Sequence, residues 1–233
     1  MTGKNMADNI SRERKKELEQ ADPFQQSLLR ALSFAKTFKK QIIIALCLIV
    51  VTALVFSGII ISFKKAEDTA AQLVAEAMNK YSKTQDPEQA FAEAQTDFTS
   101  IFKNYSNTNA GRLGKIQFAK ICYDASELEQ SYKYYKEALK EFKKNPLFKN
   151  FLLSSLGHVC IDRQKLDEAK KYFLEIERKK SNLLKADARF SMALLNETSG
   201  KPDESKKMYE TIVKEHGKSL YLPIAEEKIA VIP

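Results

Sequence analysis

The residues that could carry catalysis or bind metal ions form no recognisable catalytic or metal-binding pattern in this sequence. It has only two histidines, His158 and His216, and neither belongs to an H-E-x-x-H pattern, which would place two zinc ligands on one helical face. Gly200-Lys201 is followed by proline and lacks the glycine-rich lead of a phosphate-binding loop, so we interpret it as a turn between helices. We therefore predict no catalytic, cofactor-binding or metal-binding residues, no small-molecule substrate and no enzymatic activity.

The composition favours helices throughout. Only 7 glycines and 6 prolines occur in 233 residues, which excludes a turn-rich β-sandwich or a glycine-rich nucleotide-binding fold. The net charge of +8 is divided equally between residues 1–41 and 63–233, and signs are mixed in the longer part. Nucleic-acid binding would be better supported by a clustered basic stripe, so we predict no nucleic-acid partner.

Residues 42–62 have the properties of a transmembrane helix. These 21 residues carry no charge, and as a helix they span about 32 Å, which matches a bilayer core of about 30 Å. A buried helix of a soluble protein is the alternative, but such helices rarely run this long without a polar residue. The 41 preceding residues are too many for a signal peptide, so we expect the anchor to be retained. Leu46 precedes Cys47, where a lipoprotein signal requires a small residue, so we expect no lipid attachment.

The positive charges beside this segment give a weak orientation signal. Four basic residues lie close to the span on its N-terminal side and three on the other, and further basic residues near the N-terminus add to the difference. Because the more positive side stays in the cytoplasm, we predict a cytoplasmic N-terminus and an exported C-terminal part. Residues 1–21 are polar, and we expect them to be disordered.

The sequence of residues 22–41 predicts an amphipathic helix beside the membrane. Asp22 is suited to be the N-cap and Pro23 fits the first turn. Apolar residues follow at helical spacing, with basic residues mostly opposite, as in an amphipathic helix on an anionic membrane surface. The alternative is an extension of the transmembrane helix itself.

From residue 66 onward a pattern recurs four times: a small residue, an aromatic residue four positions later, and an apolar residue three after that. The first members are 37, 38 and 36 residues apart, and the sets are Ala94, Phe98, Ile101; Ser131, Tyr135, Ala138; Ala169, Phe173, Ile176; and Ser205, Tyr209, Ile212. Twelve residues before each first member stands another small residue: Ser82, Ala119, Gly157 and Ala193.

This spacing predicts helical hairpins in which two small residues, one on each helix, allow close approach and the aromatic ring fills the space between one hairpin and the next. One hairpin cannot cover its own apolar faces, so neighbours must stack into an α-solenoid. We expect about four hairpins over residues 66–233, with residues 219–232 forming an unpaired capping helix. A generic helical bundle is the alternative.

The repeat register makes two further predictions. Cys122 and Cys160 occupy equivalent positions in adjacent hairpins, too far apart for a disulfide, so we expect two buried thiols. Unpaired thiols are uncommon in oxidising compartments, which keeps a cytoplasmic domain open as an alternative. The first helices of a solenoid line a concave surface that binds polypeptides. The register places six residues there, or alternatively on a solvated face: Lys120, Tyr123, His158, Asp162, Phe190 and Glu197.

The pattern resembles the tetratricopeptide repeat family, which places a Leu-Gly pair on the first helix and Ala, Phe and Ala on the second. Leu156-Gly157 followed by Ala169, Phe173 and Ile176 is the best copy. No copy has the family's Trp, two have Ser for the second-helix Ala, and the periods exceed the usual 34 residues.

The order of parts resembles tetratricopeptide-like bacterial inner-membrane proteins related to the ancillary subunit of the Sec translocon. That resemblance implies a periplasmic domain that works near translocon subunits, with periplasmic chaperones, on newly exported chains. Two alternatives remain: a scaffold for another cell-envelope assembly, such as the division or outer-membrane machinery, and a cytoplasm-facing adaptor.

Overall fold

The structure, a computed structural model, describes residues 23–178 and 182–232. Within these ranges it contains helices, turns and bends but no strand, which confirms the predicted all-α fold class. Ten helices follow one another in the described residues: α1 (Pro23–Thr37), α2 (Lys39–Lys83), α3 (Pro87–Tyr105), α4 (Asn109–Asp124), α5 (Leu128–Glu141), α6 (Pro146–Asp162), α7 (Leu166–Glu177), α8 (Lys185–Thr198), α9 (Pro202–Glu215) and α10 (Leu222–Val231).

The chain divides into two compact units, Met1–Ser62 and Phe63–Pro233. The described part of the first unit consists of α1 and the N-terminal part of α2. Among the described residues, α2 is the one helix long and apolar enough to cross a membrane, and its apolar stretch is fully exposed. The Thr52 hydroxyl donates a hydrogen bond to the Leu48 carbonyl (2.7 Å), which satisfies this polar side chain within the helix. The predicted N-cap Asp22 and the polar tail lie outside the described residues.

The second unit is a series of antiparallel helical hairpins. Helices α4 and α5, α6 and α7, and α8 and α9 pair with one another, and each hairpin also packs against the next. The C-terminal part of α2 contributes Val74 and Ala77 to a hydrophobic cluster with α3 and α4, so it acts as the first helix of the first hairpin. Helix α10 packs on α9, as expected for an unpaired capping helix.

The same backbone turn closes the three C-terminal hairpins. The second residue after the end of each of these first helices adopts a left-handed conformation, with φ of 62° at Ser126, 59° at Gln164 and 71° at Gly200. The next amide then donates a hydrogen bond of 2.8 Å to a carbonyl of the preceding helix in every case. This is the Schellman type of C-cap, and only the third copy uses the glycine that tolerates it best.

The small and aromatic positions form the core as predicted. Phe98, Tyr135, Phe173 and Tyr209 are all buried. A Cβ atom at Gly157 would lie 2.5 Å from Cζ of Phe173, so only a residue without a side chain leaves room for the Phe173 ring. Phe173 thus packs against Gly157 of its own hairpin and shares a hydrophobic cluster with Ala188 and Met192 of the next one.

The first hairpin departs from the predicted register. The prediction that Ser82 is its small first-helix residue is wrong, because Ser82 is exposed in the last turn of α2 and the buried small residue is Ala77. In the later hairpins the small residue lies five residues before the last residue of the first helix. Ala77 lies six residues before the last residue of α2, which is nearly the same position. The second helix α3 has 19 residues against 12 to 14 in its counterparts, which moves the turn relative to the aromatic position.

Helix ends in this unit are fixed by side chains. The Thr108 hydroxyl accepts a hydrogen bond from the amide of Gly111 (2.9 Å) at the start of α4. The carboxylate of Glu67, from α2, accepts two more from the amides of Asn109 and Ala110, both at 2.7 Å. A carboxylate is favourable at a helix N-terminus because the exposed amides carry partial positive charge, so Glu67 ties α4 to α2.

Candidate functional site

The first helices of successive hairpins line a surface groove in the second unit. We call it the first-helix groove, and it is formed by α4, α6, α8 and residues 219–221. It contains two adjoining pockets, one between α4 and α6 and one between α6 and α8. Both pockets are lined by Phe151, Ser155 and His158, which stand on α6 at positions i, i+4 and i+7 and so share one helical face.

The α4–α6 pocket has a volume of about 300 Å³ and a mainly apolar lining. Lys120 and Tyr123 of α4 form one wall, and Phe151 and His158 of α6 form the other. Tyr135 lines the same pocket and is buried, and burial raises the pKa of its hydroxyl to about 12. The hydroxyl therefore stays neutral at physiological pH and can act as a hydrogen-bond partner but not as a base.

Acidic side chains lie at one edge of this pocket. Burial, followed by donation of a hydrogen bond to Asp162, raises the pKa of Tyr123 to about 12. Asp124 lies one turn after Lys120 and forms an ion pair with it. In residues 23–178 and 182–232, Asp162 forms no ion pair, so its negative charge at the pocket edge is not neutralised.

The α6–α8 pocket has a volume of about 460 Å³ and contains a hydrogen-bonded carboxylate. Asp187, in the first turn of α8, accepts hydrogen bonds from the hydroxyls of Ser154 (2.5 Å) and Tyr221 (2.7 Å). Nε2 of His158 lies 3.6 Å from its Oδ1. Burial by itself would raise the pKa of Asp187, but the interaction with the His158 imidazole and the hydrogen bonds from Ser154 and Tyr221 outweigh it, and the pKa lies below its usual value. Asp187 is therefore ionised at neutral pH and joins α6, α8 and the C-terminal segment.

The structure brings together four of the six residues that the register placed on the concave surface. Lys120, Tyr123 and His158 line the α4–α6 pocket, and Asp162 lies at its edge through the hydrogen bond from Tyr123.

The other two have partners inside the fold. Phe190 stacks on Tyr221, with ring centroids 4.6 Å apart. Glu197 accepts a hydrogen bond from the Tyr209 hydroxyl (2.8 Å) and pairs with Lys228 of the capping helix (2.7 Å). Neither residue lines the two pockets, and both hold α8, α9 and the C-terminal segment together.

Several groove residues escaped the sequence analysis, among them Phe151, Ser155, Asp187 and Tyr221. The sequence did contain a signal for the first two, because they precede His158 by seven and three residues on the same helical face. Asp187 and Tyr221 form a hydrogen bond although they are 34 residues apart in the sequence, and no local sequence pattern predicts such a contact.

The chemistry of the groove is that of recognition. Among the described residues, no group of three His, Cys, Asp or Glu side chains is placed to hold a metal ion. The groove offers apolar walls, neutral hydroxyl groups and an acidic edge, which suit the side chains and backbone of another polypeptide. The buried thiols Cys122 and Cys160 are unpaired, as predicted, and lie in the core rather than in the groove.

A series of stacked helical hairpins with a groove along its first helices defines an α-solenoid of the polypeptide-binding type. The family model described as "Tetratricopeptide repeat-like domain" matches residues 33–230, and the chain therefore belongs to this family. Domains of this family mediate protein–protein interactions and are typically not enzymes. A search of the curated proteins found no match to this chain.

Proposed function

We propose that this protein is a single-pass membrane protein whose tetratricopeptide-like domain binds other polypeptides, and that it assists the export or periplasmic chaperoning of newly translocated proteins at the Sec translocon. Residues 42–62 cross the bacterial inner membrane in this proposal. Residues 22–41 form an amphipathic helix at its cytoplasmic surface, and residues 66–233 form a periplasmic domain.

The exposed apolar stretch of α2 supports the membrane anchor. From Ile42 to Ile61 its large apolar side chains are exposed, which is a far larger apolar surface than a soluble monomer tolerates. The family match begins at residue 33 and so includes this stretch together with the hairpins. Lys39 and Lys40 before the stretch, and Lys64 and Lys65 after it, can reach the lipid headgroups at either side.

The observation that carries the polypeptide-binding function is the first-helix groove with its two adjoining apolar pockets. Pockets of this size are large enough to receive an apolar side chain, and two adjoining pockets can receive two side chains of one extended polypeptide. The groove lies on the first helices, which form the binding surface in solenoid proteins.

Crosslinking in native membranes tests the proposed place of action. We expect translocon subunits, periplasmic chaperones or newly exported chains among the crosslinked products. Recovery of division or outer-membrane assembly proteins, with translocon subunits consistently absent, would instead favour a scaffold for one of those assemblies.

The two unpaired thiols in the core favour a second candidate, a cytoplasm-facing adaptor, because such thiols are more common in reducing compartments. Labelling of a Lys144→Cys variant with a membrane-impermeant maleimide separates the two orientations. Lys144 is exposed, and Cys122 and Cys160 are buried; the exposed Cys47 is replaced by serine in this variant so that it gives no background after the membrane is disrupted. We expect labelling on intact spheroplasts; labelling only after the membrane is disrupted would establish the cytoplasm-facing orientation.

A further inference from the structure

We infer that the first-helix groove binds an extended segment that combines apolar and basic residues. Two apolar side chains three residues apart fill the two pockets, and an Arg or Lys beside them meets the acidic edge. The inference rests on the proposed function and specifies the chemistry of its polypeptide ligand.

The positions of the pockets set the spacing of the two apolar side chains. The pockets lie on opposite sides of α6 and share Phe151, Ser155 and His158 as walls. Their centres are therefore separated by about one helix diameter, roughly 10 Å. A polyproline II segment rises about 3.1 Å per residue with three residues per turn, so side chains i and i+3 point the same way about 9 Å apart. A β-strand would place same-side residues about 7 or 13 Å apart, which fits the two pockets less well.

The walls of the pockets select apolar side chains. Phe151 stands between the two pockets and remains 44 % exposed, and Leu220 at the α6–α8 pocket is 91 % exposed. Both would lose exposed apolar surface when a ligand side chain enters. Tyr123 and Val159 extend the apolar lining in the α4–α6 pocket.

The charges beside the pockets select a basic residue. Asp187 already accepts hydrogen bonds from the hydroxyls of Ser154 and Tyr221, and Asp124 is paired with Lys120. Asp162 is the last residue of α6, one turn after the pocket residue His158, and it forms no ion pair within residues 23–178 and 182–232. A guanidinium or ammonium group placed there completes an ion pair at the edge of the α4–α6 pocket.

A pair of peptides of equal composition tests the spacing. The first is fluorescein-labelled Gly-Ser-Arg-Leu-Pro-Ser-Leu-Ser-Gly, with leucines three residues apart, and the second is Gly-Ser-Arg-Leu-Pro-Leu-Ser-Ser-Gly, with leucines two apart. Binding is measured by fluorescence polarisation to the full-length protein in phosphatidylcholine nanodiscs, with empty nanodiscs as the blank. We expect the first peptide to bind at least about fivefold more tightly, because only its leucines can occupy both pockets. Equal affinities, or no binding by either peptide, would overturn the inference.

Three variants test the residues. Phe151→Ala should weaken binding of the first peptide about tenfold or more, because it removes the wall shared by both pockets. The matched control Leu147→Ala, one turn earlier on α6 and 59 % exposed, should leave the affinity unchanged. Asp162→Asn should weaken the first peptide about threefold at low salt and leave its Arg-to-Gln form unaffected. All three variants change exposed side chains of α6, and circular dichroism verifies that they are folded. Unchanged affinity in the Phe151→Ala variant would contradict the assignment. So would an Asp162→Asn variant whose affinities for the Arg and Gln forms of the first peptide fall equally.

This inference and the proposed function can fail separately. Crosslinking to exported chains or translocon subunits in native membranes, together with no preference between the two peptides, would leave the proposed function standing and reject this ligand chemistry. Failure of the native-membrane crosslinking as well would reject both.

Discussion

The close contact between Gly157 and Phe173 predicts that adding one methyl group will destabilise the protein. An alanine Cβ at position 157 would lie 2.5, 2.6 and 2.9 Å from three atoms of the Phe173 ring. Ordinary carbon–carbon contacts are about 3.5–4.0 Å, so the ring would have to move by about 1 Å. Phe173 is fully buried and packed among α6, α7 and α8, which leaves it little room to do so.

The size of the effect follows from two opposing contributions. Overpacking a core costs about 1–3 kcal/mol, and the large displacement here puts the cost near the upper value. Replacing glycine by alanine inside a helix returns about 1 kcal/mol. We therefore expect Gly157→Ala to lower the free energy of unfolding by about 2 kcal/mol, and the melting temperature by about 4–8 °C for a domain of this size.

Thermal melting of the full-length protein in nanodiscs, followed by circular dichroism at 222 nm, measures this change. Gly217→Ala is the matched control, because a Cβ there would lie 3.9 Å from the nearest atom, the Val213 carbonyl oxygen. Its stability should stay within about 0.5 kcal/mol of the wild type.

A second substitution makes the interpretation specific. In a Phe173→Leu background the side chain is shorter, so Gly157→Ala should cost almost nothing, and the double-mutant cycle should give a coupling energy of about 1–3 kcal/mol. A Gly157→Ala variant as stable as the wild type, or costs that simply add, would refute the argument that this glycine exists to admit the ring.

Three further predictions follow from the polar contacts and the thiols. Asp187→Asn should lower the melting temperature at pH 7. Because the pKa of Asp187 is depressed in the folded state, its carboxylate stabilises the fold at pH values above the unfolded-state pKa. The difference in melting temperature between wild type and variant should therefore shrink as the pH falls through the folded-state pKa. Burial raises the pKa of Cys122 to about 12 and that of Cys160 to about 11, so neither should react with iodoacetamide at pH 7.5 until the domain unfolds, and rapid labelling of the folded protein would contradict their burial. Glu67→Ala removes two hydrogen bonds to the N-terminus of α4 and should cost about 0.5–2 kcal/mol in thermal melts, whereas Asp68→Ala on the neighbouring exposed position should cost little.

Most of the hairpin architecture could be predicted from the sequence because each hairpin solves the same packing problem with the same residue types. A small residue and an aromatic residue at fixed spacing are needed wherever two helices approach closely, so Gly157 with Phe173 and Ala193 with Tyr209 repeat the pattern. The prediction of Ser82 was wrong for a local reason. It assumed that the turn keeps its place relative to the aromatic residue, and the longer α3 helix does not preserve that distance.

The groove was predictable only in part. Residues set by helical register, such as Lys120 and His158, were found because their positions repeat along the chain. Asp187 accepts hydrogen bonds from Ser154 on α6 and from Tyr221 in the C-terminal segment, and such long-range hydrogen bonds leave no periodic signal in the sequence. Glu197 repeats the register position of a groove residue, but Lys228 of the capping helix pairs with it instead.

Site-specific photocrosslinking is the most direct test of the proposal that this protein is anchored in a membrane and binds other polypeptides in its first-helix groove. A photoreactive residue replaces Ser155 on the groove face of α6 or, as a control, the exposed Lys171 on α7, and newly exported proteins are pulse-labelled in intact cells. We predict adducts with labelled chains from position 155 and few or none from position 171. Adducts of equal yield from both positions, or none from position 155, would contradict the central claim.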